Sequence, residues 1–223
     1  MLTTLVLAGA LLASPQAQDK WDIKAGLAPK TSTTWNVTSN VAMGGQDHAA
    51  TLKFVVDTKD LTDTKLAATV SWKELTLEGG QAMDDSSWDV TLDPHGMILD
   101  STAAEGADLI RRMLSPYMFV YPDAPVSVGD KWSATVKSGT DKDDQSITEE
   151  MKADSMDKVG MVDALKITET ISQKGEDGLK GTGTWWVDKS GKILKFEVQV
   201  SNWEVMMLPG TMMDANLKGE LAK

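Results

Sequence analysis

The side chains able to do acid–base or nucleophilic chemistry are few, and their spacing does not assemble them. The chain has two histidines and no cysteine among its 223 residues. His95 sits in an Asp93-Pro-His-Gly96 turn and His48 follows Gly44-Gly-Gln-Asp47. Both read as solvated residues in a loop or at a strand start rather than as bases held against a nucleophile. Without Cys, and without a G-x-S-x-G elbow, the usual serine and cysteine hydrolases are excluded. Two carboxylates from distant strands could still act on a glycosidic bond, but no spacing selects such a pair. No catalytic residue is assigned, and the protein is read as a non-enzyme.

Ligand chemistry is better represented. Asp141-Lys-Asp143-Asp144-Gln-Ser-Ile-Thr-Glu149-Glu150 resembles a calcium loop. Ser146, however, stands where the turn glycine belongs, and Lys152 where the bidentate glutamate belongs. The stretch reads better as an acidic hairpin tip. The cluster Met206-Met207-Leu-Pro-Gly-Thr-Met212-Met213 offers soft thioether ligands, yet no His or Cys lies nearby to complete a copper site. Flexible methionine also lines adaptable apolar pockets. No metal and no cofactor is therefore expected. Among eight Trp, Trp186 is the candidate exposed platform, because it shares strand parity with Thr182 and Thr184 while its neighbour Trp185 shares parity with Val187. Trp186, Leu109, Met113, Met206 and Met207 are the candidate ligand-binding residues.

The elements that would hold them are mainly strands. Apolar residues alternate with polar ones in Trp35–Met43, Leu52–Val56, Ala68–Trp72, Trp88–Leu92, Leu165–Ile171 and Leu194–Val200, the period of half-buried β-structure. The phase flips after Trp72, to Leu75 and Leu77, and again between Val200 and Trp203. Such flips predict bulges or bends near Lys73–Glu74 and after Val200. One segment departs from this period. In Ala107–Leu114 the residues Leu109, Ile110, Met113 and Leu114 share a helical face, Arg111 and Arg112 fall on the other, and Pro116 ends the run. The fold class is mainly β (α+β): a large curved antiparallel sheet or half-barrel with one amphipathic helix around residues 105–115.

An internal echo suggests two duplicated halves, about 30–104 and 125–223. Leu92-Asp93-Pro-His-Gly96-Met-Ile98-Leu99 matches Val187-Asp188-Lys-Ser-Gly191-Lys-Ile193-Leu194, each an Asp-x-x-Gly hairpin turn. Trp35 precedes Asp93 by 58 residues and Trp132 precedes Asp188 by 56. The connector Pro122-Asp-Ala-Pro125-Val126-Ser-Val128-Gly129-Asp130-Lys-Trp132, preceded by a helix and an Asp-x-x-Gly hairpin, resembles a pattern of uncharacterised exported bacterial proteins. The likeness covers roughly residues 86–136, with a looser echo in the last third. It implies a bacterial, exported, β-rich protein and assigns no activity or site.

Residues 1–17 read as a signal peptide: an apolar run shorter than the roughly 20 residues that span a bilayer, followed by small residues up to Ala17. Residues 18–223 then form a single β-rich domain, exported to the periplasm or the exterior, with no further transmembrane segment. A net charge of −11 speaks against nucleic acid and anionic membrane surfaces as partners. The lack of cysteine excludes disulfides and a lipid-modified Cys. These features favour a non-catalytic binding or carrier module for an apolar ligand such as a lipid or lipoprotein, with the helix as a lid. The alternatives are a structural or interaction protein of the bacterial envelope, and a carbohydrate-binding or carboxylate-dependent glycan-acting protein.

Overall fold

Period-two alternation becomes strand almost throughout the chain. The computed structural model describes residues 20–223 apart from 44, 63, 105, 138, 141–142 and 206–209. In chain order the strands are β1 (Ser32–Met43), β2 (Gln46–Thr62), β3 (Lys65–Leu77), β4 (Gln81–Ala82), β5 (Ser86–Leu92) and β6 (Ile98–Ser101). Helix α1 (Ala107–Leu114) follows. The second set is β7 (Lys131–Val136), β8 (Gly139–Thr140), β9 (Asp143–Asp144), β10 (Ile147–Val159), β11 (Val162–Gln173), β12 (Lys180–Val187), β13 (Ile193–Trp203) and β14 (Met213–Leu221). The short β8–β9 hairpin stands apart. The rest form one antiparallel sheet in the order β6-β5-β3-β2-β1-β14-β13-β12-β11-β10-β7, with β4 beside β3. Each half of the chain is thus a meander, and the two meanders join where β1 pairs β14, Trp35 opposite Leu221 and Val41 opposite Ala215. The sheet curls into a nearly closed half-barrel around one apolar core, as the alternation predicted.

Both expected breaks in strand phase are bulges. In β3, Lys73 pairs with Lys53 and Thr76 with Thr51, so three residue steps on β3 face two on β2, and Glu74 takes a left-handed φ of 52°. Its backbone N–H is held by Asp85 Oδ1 at 2.9 Å. In β13, three steps from Val200 to Trp203 face two steps on β14, and Asn202 has φ 55°. Each bulge slips the inward-facing set by one residue. Val70 and Trp72 point inward before the first bulge, and Leu75 after it. Val198 and Val200 point inward before the second, and Trp203 after it.

A half-barrel of this width is too broad for strand side chains to fill alone. The segment from Met113 to Pro122 fills it, and every residue of it is buried. A 3-10 turn at Ser115–Tyr117 follows α1 and inserts Tyr117 between the two meanders. The Tyr117 ring stacks on Phe54 at 4.9 Å and lies edge-on to Phe196 at 6.4 Å. Threading an extended segment through a core obliges its polar backbone groups to find partners. Tyr121 N–H donates to the His95 carbonyl (2.7 Å), His95 Nδ1 lies 2.9 Å from the Tyr121 carbonyl, and Trp132 Nε1 donates to the Val120 carbonyl (2.8 Å). His95 is therefore half-buried and bonded to this strap, not the solvated loop residue its turn suggested.

Arg111 corrects a second expectation. It is buried rather than on a solvent face, and its guanidinium donates to the carbonyls of Ile98 (2.9 Å from Nε) and Leu99 on the edge strand β6, and to Asp108. A helix thus blunts an open sheet edge with charge-assisted bonds.

The two Asp-x-x-Gly turns share one hydrogen-bond pattern. Asp93 Oδ1 accepts the N–H of His95 and Met97, and Asp188 Oδ1 those of Ser190 and Lys192. Gly96 and Gly191 both take positive φ, at 93° and 84°. Each turn packs on the segment leading into the opposite meander. A Cβ on Gly96 would meet the Phe119 carbonyl oxygen at 2.9 Å, and one on Gly191 the Ile23 carbonyl oxygen at 2.0 Å.

Candidate functional site

The bulges create the most ligand-like feature of the molecule. At the end of the sheet where β3 and β13 finish and β2 begins lies an apolar cavity of about 440 Å³. That volume falls within the ordinary range for small-molecule sites. Leu75 and Leu77 beyond the first bulge, and Trp203 and Val205 beyond the second, form two of its walls. Val41 and Leu52 contribute from β1 and β2, and Met213 from β14. Trp72 and Tyr117 border it from the core side. Glu78 and Gln81 are exposed, on and just after the β3–β4 turn, and mark its mouth; His48 and Ser39 complete the polar lining. No Lys or Arg lines it among the described residues.

One polar group beside this cavity lacks a partner. The Trp72 indole N–H is enclosed and has no hydrogen-bond acceptor among the described residues. Tyr117 lies beside it, and burial pushes its pKa up. The two residues are only 5 % and 3 % exposed, and their ring centroids lie 5.7 Å apart. Trp72 is held edge-on against Trp88 at 5.4 Å.

Tyr117 also borders a second cavity of about 510 Å³ at the opposite end of the sheet, near the two Asp-x-x-Gly turns. Its lining includes Thr31, Thr58, Ser190 and Lys192, so it is the more polar of the two ends in residue type. The Tyr117 ring stands between the two cavities.

The structure also brings together a pair of carboxyls that spacing did not select. Glu149 on β10 and Glu169 on β11 sit at core-facing positions and are 1 % and 3 % exposed. Glu169 Oε2 accepts the Trp185 indole N–H at 2.8 Å, over Gly183, where a Cβ would meet that oxygen at 2.5 Å. Ser115 and Glu169 lie beside Glu149, and Glu149 Oε2 and Glu169 Oε1 are enclosed with no hydrogen-bond partner among the described residues. Desolvation raises both pKa values, Glu169 to about 8, and the neighbouring Glu169 and Asp93 push Glu149 up further. Two carboxyls so close and so dry share protons as one unit. Neither lines either cavity described above, so the pair belongs to the packing of the strap rather than to a cleft that a glycan could enter. The signal was present in the sequence: each glutamate stands at an apolar parity position, between Ile147 and Met151 and between Ile167 and Ile171.

The residues selected from sequence are dispersed. Trp186 lies on the outer face of β12, 9 % exposed, with its indole N–H bonded to Asp157 at 2.8 Å and the Lys195 ammonium 4.4 Å from its ring centroid. A cation covers the face that was expected to stand open. Met113 is fully buried and Leu109 half-buried; α1 lines neither cavity and buttresses β6 instead of serving as a lid. Met206 and Met207 lie outside the described residues, between the cavity-lining Val205 and Met213. In the acidic segment, residues 141–142 lie outside the described residues, and Asp144 is engaged by Ser146 and by Lys174 at 2.6 Å.

The fold and site together define a mainly-β half-barrel with an apolar end-cavity. No family model matches the chain, and no curated protein matches it. Solved structures give a weak likeness of overall shape. A protein assigned as exported, with a YmcC-like fold, from Bacteroides fragilis matches at 11% identity and TM-score 0.38, covering 87% of this chain and 98% of its own. A protein assigned as a lipoprotein from Parabacteroides distasonis matches at 13% identity and TM-score 0.39, covering 92% and 100%. The hypothetical lipoprotein YmcC of Escherichia coli matches at 11% and 0.35, covering 88% of each. Likeness at this level carries no argument about function.

Proposed function

We propose that the protein is an exported, non-catalytic binding module of the bacterial envelope that holds an apolar ligand such as a lipid or a lipoprotein acyl chain. The observation that carries this reading is the 440 Å³ cavity, walled by aliphatic and aromatic side chains that two bulges turn inward at one end of the sheet. The non-catalytic part of the reading is supported by the burial of the Glu149–Glu169 pair away from either cavity. The site proposed differs from the one selected by sequence: it centres on Trp72, Leu75, Trp203 and Met213, not on Trp186 and the helix.

Native mass spectrometry of protein purified gently from its own envelope tests this. A reproducible extra mass of lipid size is expected, together with uptake of an apolar fluorescent probe such as N-phenyl-naphthylamine. Ala50 lines the cavity and is half-buried, so Ala50→Phe should fill part of the space and abolish uptake without unfolding the sheet. A clean apo mass with no probe uptake would instead favour a structural or interaction protein of the envelope. Undiminished uptake by Ala50→Phe would move the site elsewhere.

A further inference from the structure

We infer that the ligand of the apolar cavity carries an uncharged oxygen at its buried end, a carbonyl, ester or alcohol, which takes hydrogen bonds from the Trp72 indole and the Tyr117 hydroxyl. The inference rests on the proposed reading of this cavity as a ligand site and names the class of ligand it selects. Its basis is the enclosed Trp72 indole N–H without a partner, with Tyr117 beside it, at the inner boundary of an otherwise apolar space. Buried donors in folded proteins are nearly always paired, and an exception calls for an explanation. A hydrocarbon chain alone would occupy the space and leave the Trp72 N–H unpaired. An indole N–H can only donate, so the group it meets must be an acceptor.

The charge of that acceptor follows from the lining. The ionisable side chains there are Glu78 at the mouth and His48, with no lysine or arginine among the described residues. A carboxylate or phosphate brought to Trp72 would be desolvated with no lysine or arginine to balance it, and one left at the mouth would meet Glu78. A neutral oxygen bears neither cost. The two donors are also fixed in advance, Trp72 by the edge of Trp88 and Tyr117 by the face of Phe54, so little freedom is lost when the ligand arrives.

The experiment is displacement of N-phenyl-naphthylamine from the full-length exported protein by decane, decanol and decanoate near neutral pH. Decanol should displace the probe at least tenfold more effectively than decanoate. Tyr117→Phe, which removes only an oxygen, and Trp72→Phe should each lower the affinity for decanol relative to decane roughly threefold to tenfold, the range of one neutral hydrogen bond. Equal effects on decanol and decane in both variants would overturn the inference while leaving the binding reading intact. Preferential binding of decanoate would overturn the neutral-oxygen assignment alone. Failure of the wild-type protein to take up the probe, or of any of the three compounds to displace it, would overturn the binding reading and the inference with it.

Discussion

The Glu149–Glu169 pair makes a quantitative prediction opposite in sign to the usual acid denaturation. In the unfolded chain both carboxyls ionise near the ordinary value of 4.5, whereas in the folded protein desolvation holds them protonated higher, Glu169 to about 8. Between those limits the native state binds more protons than the unfolded state, so stability falls as pH rises. The contribution is fully present below the unfolded value and is lost through the folded one. One retained proton gives a slope of about 1.4 kcal/mol per pH unit. Counting a single proton for the pair as the lower bound, the loss from about pH 5 to about pH 7.5 is at least on the order of 3 kcal/mol. The assay is urea unfolding followed by tryptophan fluorescence across that window, for the wild type and for Glu149→Gln/Glu169→Gln. The amide at position 169 keeps a carbonyl for the Trp185 N–H and removes the titration. The net charge of −11 also varies with pH, but it does so in both proteins and cancels in the comparison. The stability of the double variant relative to wild type should therefore rise by at least about 3 kcal/mol with pH over the window. A difference independent of pH would refute the shared-proton account of the pair.

Other substitutions probe the frame around the cavity. Arg111→Ala should cost about 3 kcal/mol, because the Ile98 and Leu99 carbonyls on the β6 edge lose a charged donor, and it should speed amide exchange in β6 as read by hydrogen exchange. Gly191→Ala combines positive φ with a Cβ 2.0 Å from the Ile23 carbonyl oxygen, so it should lower the thermal midpoint sharply, whereas Gly79→Ala, at φ 86° in open space, should cost only about 1 kcal/mol. Tyr117→Phe, measured without ligand, should change stability by less than about 1 kcal/mol, since the ring keeps its stack on Phe54. A loss of more than about 1 kcal/mol would show that the hydroxyl is already bonded.

Much of this frame was legible because β-structure writes its facing in sequence parity. The flips after Trp72 and Val200 announced both bulges, and the Asp-x-x-Gly turns announced two hairpins with the same hydrogen bonds. What parity does not reveal is which long-range surface an element meets. Arg111 falls on the polar side of the helical wheel, but that side faces the open carbonyls of β6, which local sequence cannot show. Trp186 alternates with threonines as an exposed residue would, yet Lys195 on the neighbouring strand lies over its ring. The strap at 115–121 lacks strand period because it pairs with no strand along its length. Its burial depends on a half-barrel assembled from both ends of the chain. The cavity was missed for the same reason: its lining comes from six strands and the strap, and no local window contains it.

The bulges decide why one end of the barrel is apolar. Had β3 continued without a slip after Trp72, the inward positions would have been Glu74 and Thr76; with the slip they are Leu75 and Leu77. Had β13 continued after Val200, they would have been Asn202 and Glu204; with the slip they are Trp203 and Val205. A one-residue shift exchanges every facing beyond it. Two independent slips thus convert what would have been an acidic, hydrated mouth into a greasy one, and both do so at the same end of the sheet. Closing a β-sheet needs bending somewhere, but bending alone does not require both strands to present apolar residues afterward. At the opposite end β2 slips against β3 after Thr58 and β12 slips against β13 before Val187, yet the cavity there keeps its threonines, serines and Lys192. The strap fills the middle, where Phe54, Tyr117 and Phe196 meet, and Trp72 and Trp203 continue that aromatic layer to the cavity wall. Apolar walls that carry the core out to an unfilled end of the sheet, turned inward beyond two left-handed residues, are the pattern of a surface kept for something other than the protein's own side chains.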